Sequence, residues 1–169
     1  WEIGGFLGLW VICYGIVQGS APGLRQLWGR TTSPGVSAVQ FWSALLTAIP
    51  ALIAVALWRE VDVAVAITAG LAAFGVVFAM NSSIHSYMVL AYTDAESVSL
   101  NVGFYYMANA AGRLVGTLLS GAVFMLGRTE VVGMQACLWA SSLLLLLSAL
   151  TCRELPRIHP IGLNSASAT

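Results

Sequence analysis

Five apolar stretches, at about residues 3–21, 36–58, 63–92, 94–126 and 131–150, follow one another with only short polar breaks between them. At 1.5 Å per residue, a helix of about 20 residues crosses the roughly 30 Å hydrocarbon core of a bilayer, where each backbone polar group must be satisfied within its own segment. The pattern predicts an all-α membrane protein with five transmembrane helices. Composition agrees, since 59% of the 169 residues are hydrophobic and only 8% are charged, against about 25% charged in soluble domains. The seven basic side chains are all arginine and are balanced by seven acidic ones. This leaves no clustered basic surface for a nucleic acid. No nucleophile–base pair, phosphate loop or metal-ligand spacing points to an enzyme, a cofactor or a metal centre.

Breaker residues set the expected boundaries. Pro22-Gly23 ends the first segment, Pro50 should kink the second, and the charged turn Arg59-Glu60-Val61-Asp62 separates the second from the third. The third is longer than a span needs and must tilt, break or protrude. Thr93 with Glu96 three positions on has the form of a capping box opening the fourth helix. Residues 1–155 thus read as one transmembrane bundle, and 156–169 as a polar, disordered cytoplasmic tail. Trp1 carries no initiator Met, basic n-region or cleavage site, so the start is not a signal peptide and reads as cut from a longer protein. Arg25, Arg30, Arg153 and Arg157 on one side against Arg59 and Arg128 on the other place the C-terminus in the cytoplasm and residue 1 outside. The three cysteines, 13, 137 and 152, read as packing residues. Tryptophans 1, 28, 42, 58 and 139 read mostly as interfacial anchors.

The fourth segment carries the chemistry. At 100° per residue Asn101, Tyr105, Asn109 and Arg113 share an arc of about 140° with Ala108, Gly112, Gly116 and Ser120, while Leu100, Phe104, Met107, Leu114 and Leu118 lie mostly opposite. Arg113 falls near mid-span, where an arginine costs at least about 2.5–3.5 kcal/mol, so it must face a partner or water. One reading makes it an anion ligand in a central cavity, because the guanidinium stays charged and binds oxyanions bidentately. The other satisfies it with helix carbonyls or an acidic residue, though no Asp or Glu lies mid-span. In the third segment Asn81, His85 and Tyr92 fall within about 40°. His85 is a candidate for carrying a coupling proton, or else a structural histidine; Asn81 and Ser83 are candidate ligands beside it. In the first segment Gly4, Gly8, Gly15 and Gly19 share an arc of about 60° and read as packing residues, with Gln18 a candidate pore-lining amide. Gln40, Ser43 and Thr47 share a face that points to interhelical hydrogen bonding.

Two stretches, "NSSIHSYMVLAYTDAESVSLNVGFYYMANAAGRLVGTLLSG" (81–121) and "GGFLGLWVICYGIVQGSAP" (4–22), resemble the C-terminal half of organoarsenical efflux permeases (ArsJ-type) of the major facilitator superfamily. The resemblance implies that the five segments are helices 8 to 12 of a twelve-helix transporter in the bacterial inner membrane, completed by an N-terminal half of the same chain. It agrees with the topology from arginine counts. Gly29 and Arg30 match the end of a basic cytoplasmic motif of the superfamily, whose acidic residue is missing here. The implied cargo is 1-arseno-3-phosphoglycerate, which glyceraldehyde-3-phosphate dehydrogenase makes when arsenate replaces phosphate. Such a small polyanion suits Arg113, Asn109, Asn101 and Tyr105, which are assigned from the polar stripe. A carrier for another organic anion or drug, and a non-transporting membrane remnant, are the competing readings.

Overall fold

The computed structural model of the chain describes residues 1–27, 35–93 and 96–154; the expected tail 156–169, Trp28, and the Gly29-Arg30 motif lie outside them. Five α-helices follow in order, α1 (Glu2–Leu27), α2 (Val36–Trp58), α3 (Val63–Ala91), α4 (Val98–Met125) and α5 (Glu130–Thr151), and α5 ends in a short 3-10 turn, Cys152–Glu154. No strand occurs among the described residues. The helices α1, α2, α3 and α5 are long and apolar enough to cross a membrane. This is a membrane protein. α4 has the length, at 28 residues, but is not among the four helices that reach that apolarity. The polar arc that includes Asn101, Asn109 and Arg113 accounts for the shortfall.

Two expected boundaries move. α1 continues as a helix through Pro22 and Gly23 to Leu27, because a proline removes only one backbone donor, while its apolar span closes at Ala21 as expected. The Thr93–Glu96 capping box does not form. The Thr93 hydroxyl turns back and donates to the Val89 carbonyl at 2.6 Å, prolonging the end of α3, and α4 begins at Val98 with Ser97 at its N-cap. Side chains cap the starts of two other helices. Asp62 caps α3 by accepting from the Val65 N–H at 3.0 Å, and Thr129 caps α5 by accepting from Val132. Pro50 lacks an N–H, so the Leu46 carbonyl loses its usual donor, yet α2 runs unbroken past it.

The helices stand in the order α1, α3, α2, α5, α4. α2 packs on both α3 and α5, whereas α1 packs on α3 alone and α4 chiefly on α5, with a slighter contact to α3. Two buried clusters hold the centre. Val39, Ile84, Met88 and Cys152 join α2, α3 and α5 at one end, and Ile49, Ile53, Leu57 and Ala66 join α2 and α3 at the other, with Met134 and Leu138 of α5 against them. These pairings make α2 antiparallel to both neighbours. α1 runs parallel to α3, since Trp10 meets Leu71 and Gln18 meets Ser82.

An aromatic face seats α1. Trp10 stacks on Tyr14 at 5.8 Å, Tyr14 on Phe78 at 5.5 Å, and Phe78 on Phe74 at 5.6 Å. The Trp10 indole N–H donates to the Leu71 carbonyl at 2.8 Å. It can approach because position 75 is glycine, where a Cβ would stand 3.0 Å from that indole nitrogen. On the outer side of this seam a groove of about 280 Å³ lies between Phe6, Trp10 and Tyr14 of α1 and Ala72 and Gly75 of α3. The expected glycine packing face meets no partner among the described residues, where nothing lies within 4 Å of a Cβ at Gly4, Gly8, Gly15 or Gly19. Trp10→Phe keeps the ring and loses the donor. It is expected to cost about 0.5–1.5 kcal/mol, read by titrating the detergent-solubilised protein with a denaturing detergent.

Candidate functional site

The polar stripe of α4 is the first candidate. None of the residues of α4 is buried, and the apolar positions on its other side are open, with Leu114 63% and Leu118 66% exposed. Asn101 is tied back to the first turn, its amide donating to the Ser97 hydroxyl at 3.3 Å. Tyr105 sits edge-on to Tyr106 at 5.4 Å. Asn109 and Arg113 are exposed. Among the described residues no carboxylate forms an ion pair with Arg113, and the acidic side chains lie at helix ends and turns. At the far end Ser120 closes the stripe against α5, where Cys137 donates to its carbonyl at 3.3 Å.

Geometry narrows what this stripe can hold. Residues four apart on a helix rise about 6 Å, so Asn101 and Arg113 are separated by about 18 Å along the axis. A three-carbon molecule with an oxyanion at each end reaches two such rungs and not four. Arg113 and Asn109 are therefore the pair that can grip one small anion, with Tyr105 the next group along. Arg113 supplies the fixed charge and a planar fork of donors for an oxyanion, and Asn109 adds a neutral amide one turn away.

The second set lies on α3. Asn81 is buried, 9% exposed, and its side-chain oxygen accepts from the Ser43 hydroxyl at 3.2 Å. This is the interhelical bond expected of the Ser43 face; Thr47 instead donates to the Ser43 carbonyl in its own helix. Gln18 is half-buried and its amide donates to Ser82 at 3.3 Å. His85 is half-buried, with a buried Nε2 that has no hydrogen-bond partner among the described residues. Ser83 stands on a different face, about 160° from Asn81 around α3.

Among the described residues α1 and α4 make no contact, so Gln18 and Arg113 are not brought together there. The expected ligands form two groups, one on α4 and one on the α1–α3–α2 seam. The chain matches no family model, no curated protein and no solved structure. Sequence reading passed over Trp10 and Ser82. Trp10 is the one tryptophan not read there as an anchor, yet its pairing with Gly75 needed a fold to be seen. Trp139, read there among the mostly interfacial tryptophans, stands mid-helix in α5 and is exposed.

Proposed function

We propose that this protein is a membrane carrier that exports a small organic anion by alternating access, with Arg113 and Asn109 at the centre of the anion site. The carrying observation is a permanently charged guanidinium midway along a long helix, on a continuous polar stripe, without a counter-ion among the described residues. A charge in that position is retained at a cost of at least about 2.5–3.5 kcal/mol, and an anionic cargo is the partner that gives the cost a use. α4 also falls short of the other helices in apolarity, as expected of a helix with one face on an aqueous cavity. Carriers of this kind work by rocking helix bundles around a midplane site.

The resemblance of residues 4–22 and 81–121 to ArsJ-type organoarsenical permeases of the major facilitator superfamily narrows the cargo to 1-arseno-3-phosphoglycerate. It supports a place in the bacterial inner membrane with a cytoplasmic C-terminus, a second half of the same chain facing this one, and a functional link to glyceraldehyde-3-phosphate dehydrogenase. Outside the cell the acyl-arsenate hydrolyses and leaves arsenate there, which amounts to arsenate resistance.

The test is arsenic uptake into everted membrane vesicles bearing the protein, supplied with arsenate. Uptake is expected only when glyceraldehyde-3-phosphate, NAD and the dehydrogenase are all present. Uptake of a phosphate ester but never of the arsenical would keep the anion site and remove the arsenical cargo. No anion uptake by the folded, inserted protein would remove the carrier reading altogether.

A further inference from the structure

The polar stripe of α4 points toward α5 at a level where the two helices have already parted. Their close contacts gather at one end, with Phe124 and Gly127 against Gly133 and Ser120 against Cys137. On the helical wheel Arg113 falls midway between Ser120 and Phe124, about 20° from each, and Asn109 lies about 40° from Arg113. Both therefore face the side that α5 occupies. Yet both are exposed, and a Cβ at Gly116, one turn before Ser120, would meet nothing within 4 Å. The other contact of α4 is with α3, which stands across α2 from α5, so α4 leans toward α2 without touching it. A cleft opens between α4 and α5 and narrows to Ser120 and Cys137.

α5 forms the opposite wall. It runs antiparallel to α4, so the pairing of Phe124 with Gly133 and of Ser120 with Cys137, continued turn by turn, sets Ser141 level with Gly116, Leu144 with Arg113 and Ser148 with Asn109. Around α5, Ser148 and Ser141 lie about 20° and 40° from Cys137. Their side of Cys137 is that of Met134 and Leu138, which pack toward α2, and it is the side to which α4 leans. Residues 143–147 between them are all leucine. Both serines are exposed, and among the described residues neither hydroxyl makes a hydrogen bond, nor does the side chain of Asn109 or Arg113.

Rung spacing gives the chemistry. Arg113 and Asn109 stand about 6 Å apart along α4, and Ser141 and Ser148 about 10 Å apart along α5. They make two clamps: the Arg113 guanidinium with the Ser141 hydroxyl, and the Asn109 amide with the Ser148 hydroxyl. Each clamp offers N–H and O–H donors to one oxyanion. A single phosphate group fills one clamp, and a three-carbon molecule with an oxyanion at each end fills both. We infer that the anion site is the cleft between α4 and α5, with Ser141 and Ser148 as its second wall, and that it selects organic anions carrying an oxyanion at each end. This inference rests on the carrier reading of Arg113 and Asn109.

Calorimetric titration of the purified protein with two probes tests it: phosphoglycerate, with an oxyanion at each end, and glycerol phosphate, with one. The parent is expected to bind phosphoglycerate about tenfold more tightly than glycerol phosphate. Ser141→Ala should weaken both probes about 5- to 10-fold, whereas Ser148→Ala should weaken phosphoglycerate by that factor and leave glycerol phosphate within about twofold. Ser148→Thr keeps the hydroxyl and should stay within about threefold of the parent. Ser142→Ala removes a buried, unpartnered hydroxyl about 140° around α5 from Cys137, and should bind both probes as the parent does. Alanine is the better helix former at these positions, so the variants should keep the parent's midpoint in denaturing detergent. Parental binding by both Ser141→Ala and Ser148→Ala, with loss in Arg113→Ala, would overturn the α5 wall and leave the α4 site standing. Equal affinity of the parent for the two probes would overturn the selection for two-ended anions. Parental binding by Arg113→Ala as well would overturn this inference and the carrier reading together.

Discussion

Arg113→Ala is expected to reduce anion binding and export by about 10- to 100-fold, the equivalent of the roughly 1.5–3 kcal/mol carried by hydrogen bonds to a charged group. The variant separates a site defect from a folding defect unusually well. Removing an arginine from mid-span removes an insertion cost of at least about 2.5–3.5 kcal/mol, so the altered chain should enter the membrane at least as readily as the parent. Arg113 makes no ion pair among the described residues and lies exposed on α4, so its loss leaves no partner stranded there. Arg113→Lys keeps the charge and loses the planar fork, and should fall between the two. The readout is binding of the anion to purified protein together with vesicle uptake. Equal binding by parent and Arg113→Ala would end the anion-site assignment.

Gly133→Ala should be among the most damaging single-methyl changes for the fold. A Cβ there would stand 2.6 Å from the Phe124 carbonyl oxygen, and one at Gly127 would meet the backbone nitrogen and Cα of Gly133. Both obstacles are main chain and cannot rotate away, so α4 and α5 must part. A loss of about 1–3 kcal/mol is expected from such overpacking, measured as a lower midpoint in denaturing-detergent titration. Gly116→Ala, in α4, is the control. Nothing lies within 4 Å of its Cβ, and alanine is the better helix former by about 1 kcal/mol, so that variant should be as stable as the parent or more so. Equal midpoints for the Gly133→Ala variant and the parent would mean that the α4–α5 approach is looser than described.

Helix positions were legible because bilayer thickness and backbone hydrogen bonding leave little choice. The stretch from Val36 to Trp58 came out to the residue, bounded by Gly35 at one end and the Arg59–Asp62 turn at the other. Thr93 misled for a physical reason: a hydroxyl that caps a following helix can equally bond the carbonyl four residues back, and local spacing does not say which. Side-chain pairing across helices was only half visible. Ser43 announced an interhelical bond but not its partner Asn81, and the periodicity that grouped Asn81, His85 and Tyr92 contained no sign that α2 would cover the first and leave a nitrogen of the second unpaired. The glycines of α1 read as a packing face, and it is the aromatic face of that helix which packs. Small residues mark where a close approach is allowed, and shape complementarity decides whether it happens.

The row order of the helices has a consequence for synthesis. α2 is flanked by α3 and α5, so one of its two faces can be covered as soon as α3 emerges, while the other waits for a helix that starts at Glu130, 72 residues after α2 ends at Trp58. At about 5–20 residues per second that delay is roughly 4–14 s. Throughout it the α2 face destined for Met134 and Leu138 must be shielded by lipid or by the insertion machinery, and α4 must be threaded past before its own neighbour exists. Ribosome pausing or a slow codon between residues 98 and 130 would lengthen that window, and the nascent chain would be most open to degradation there.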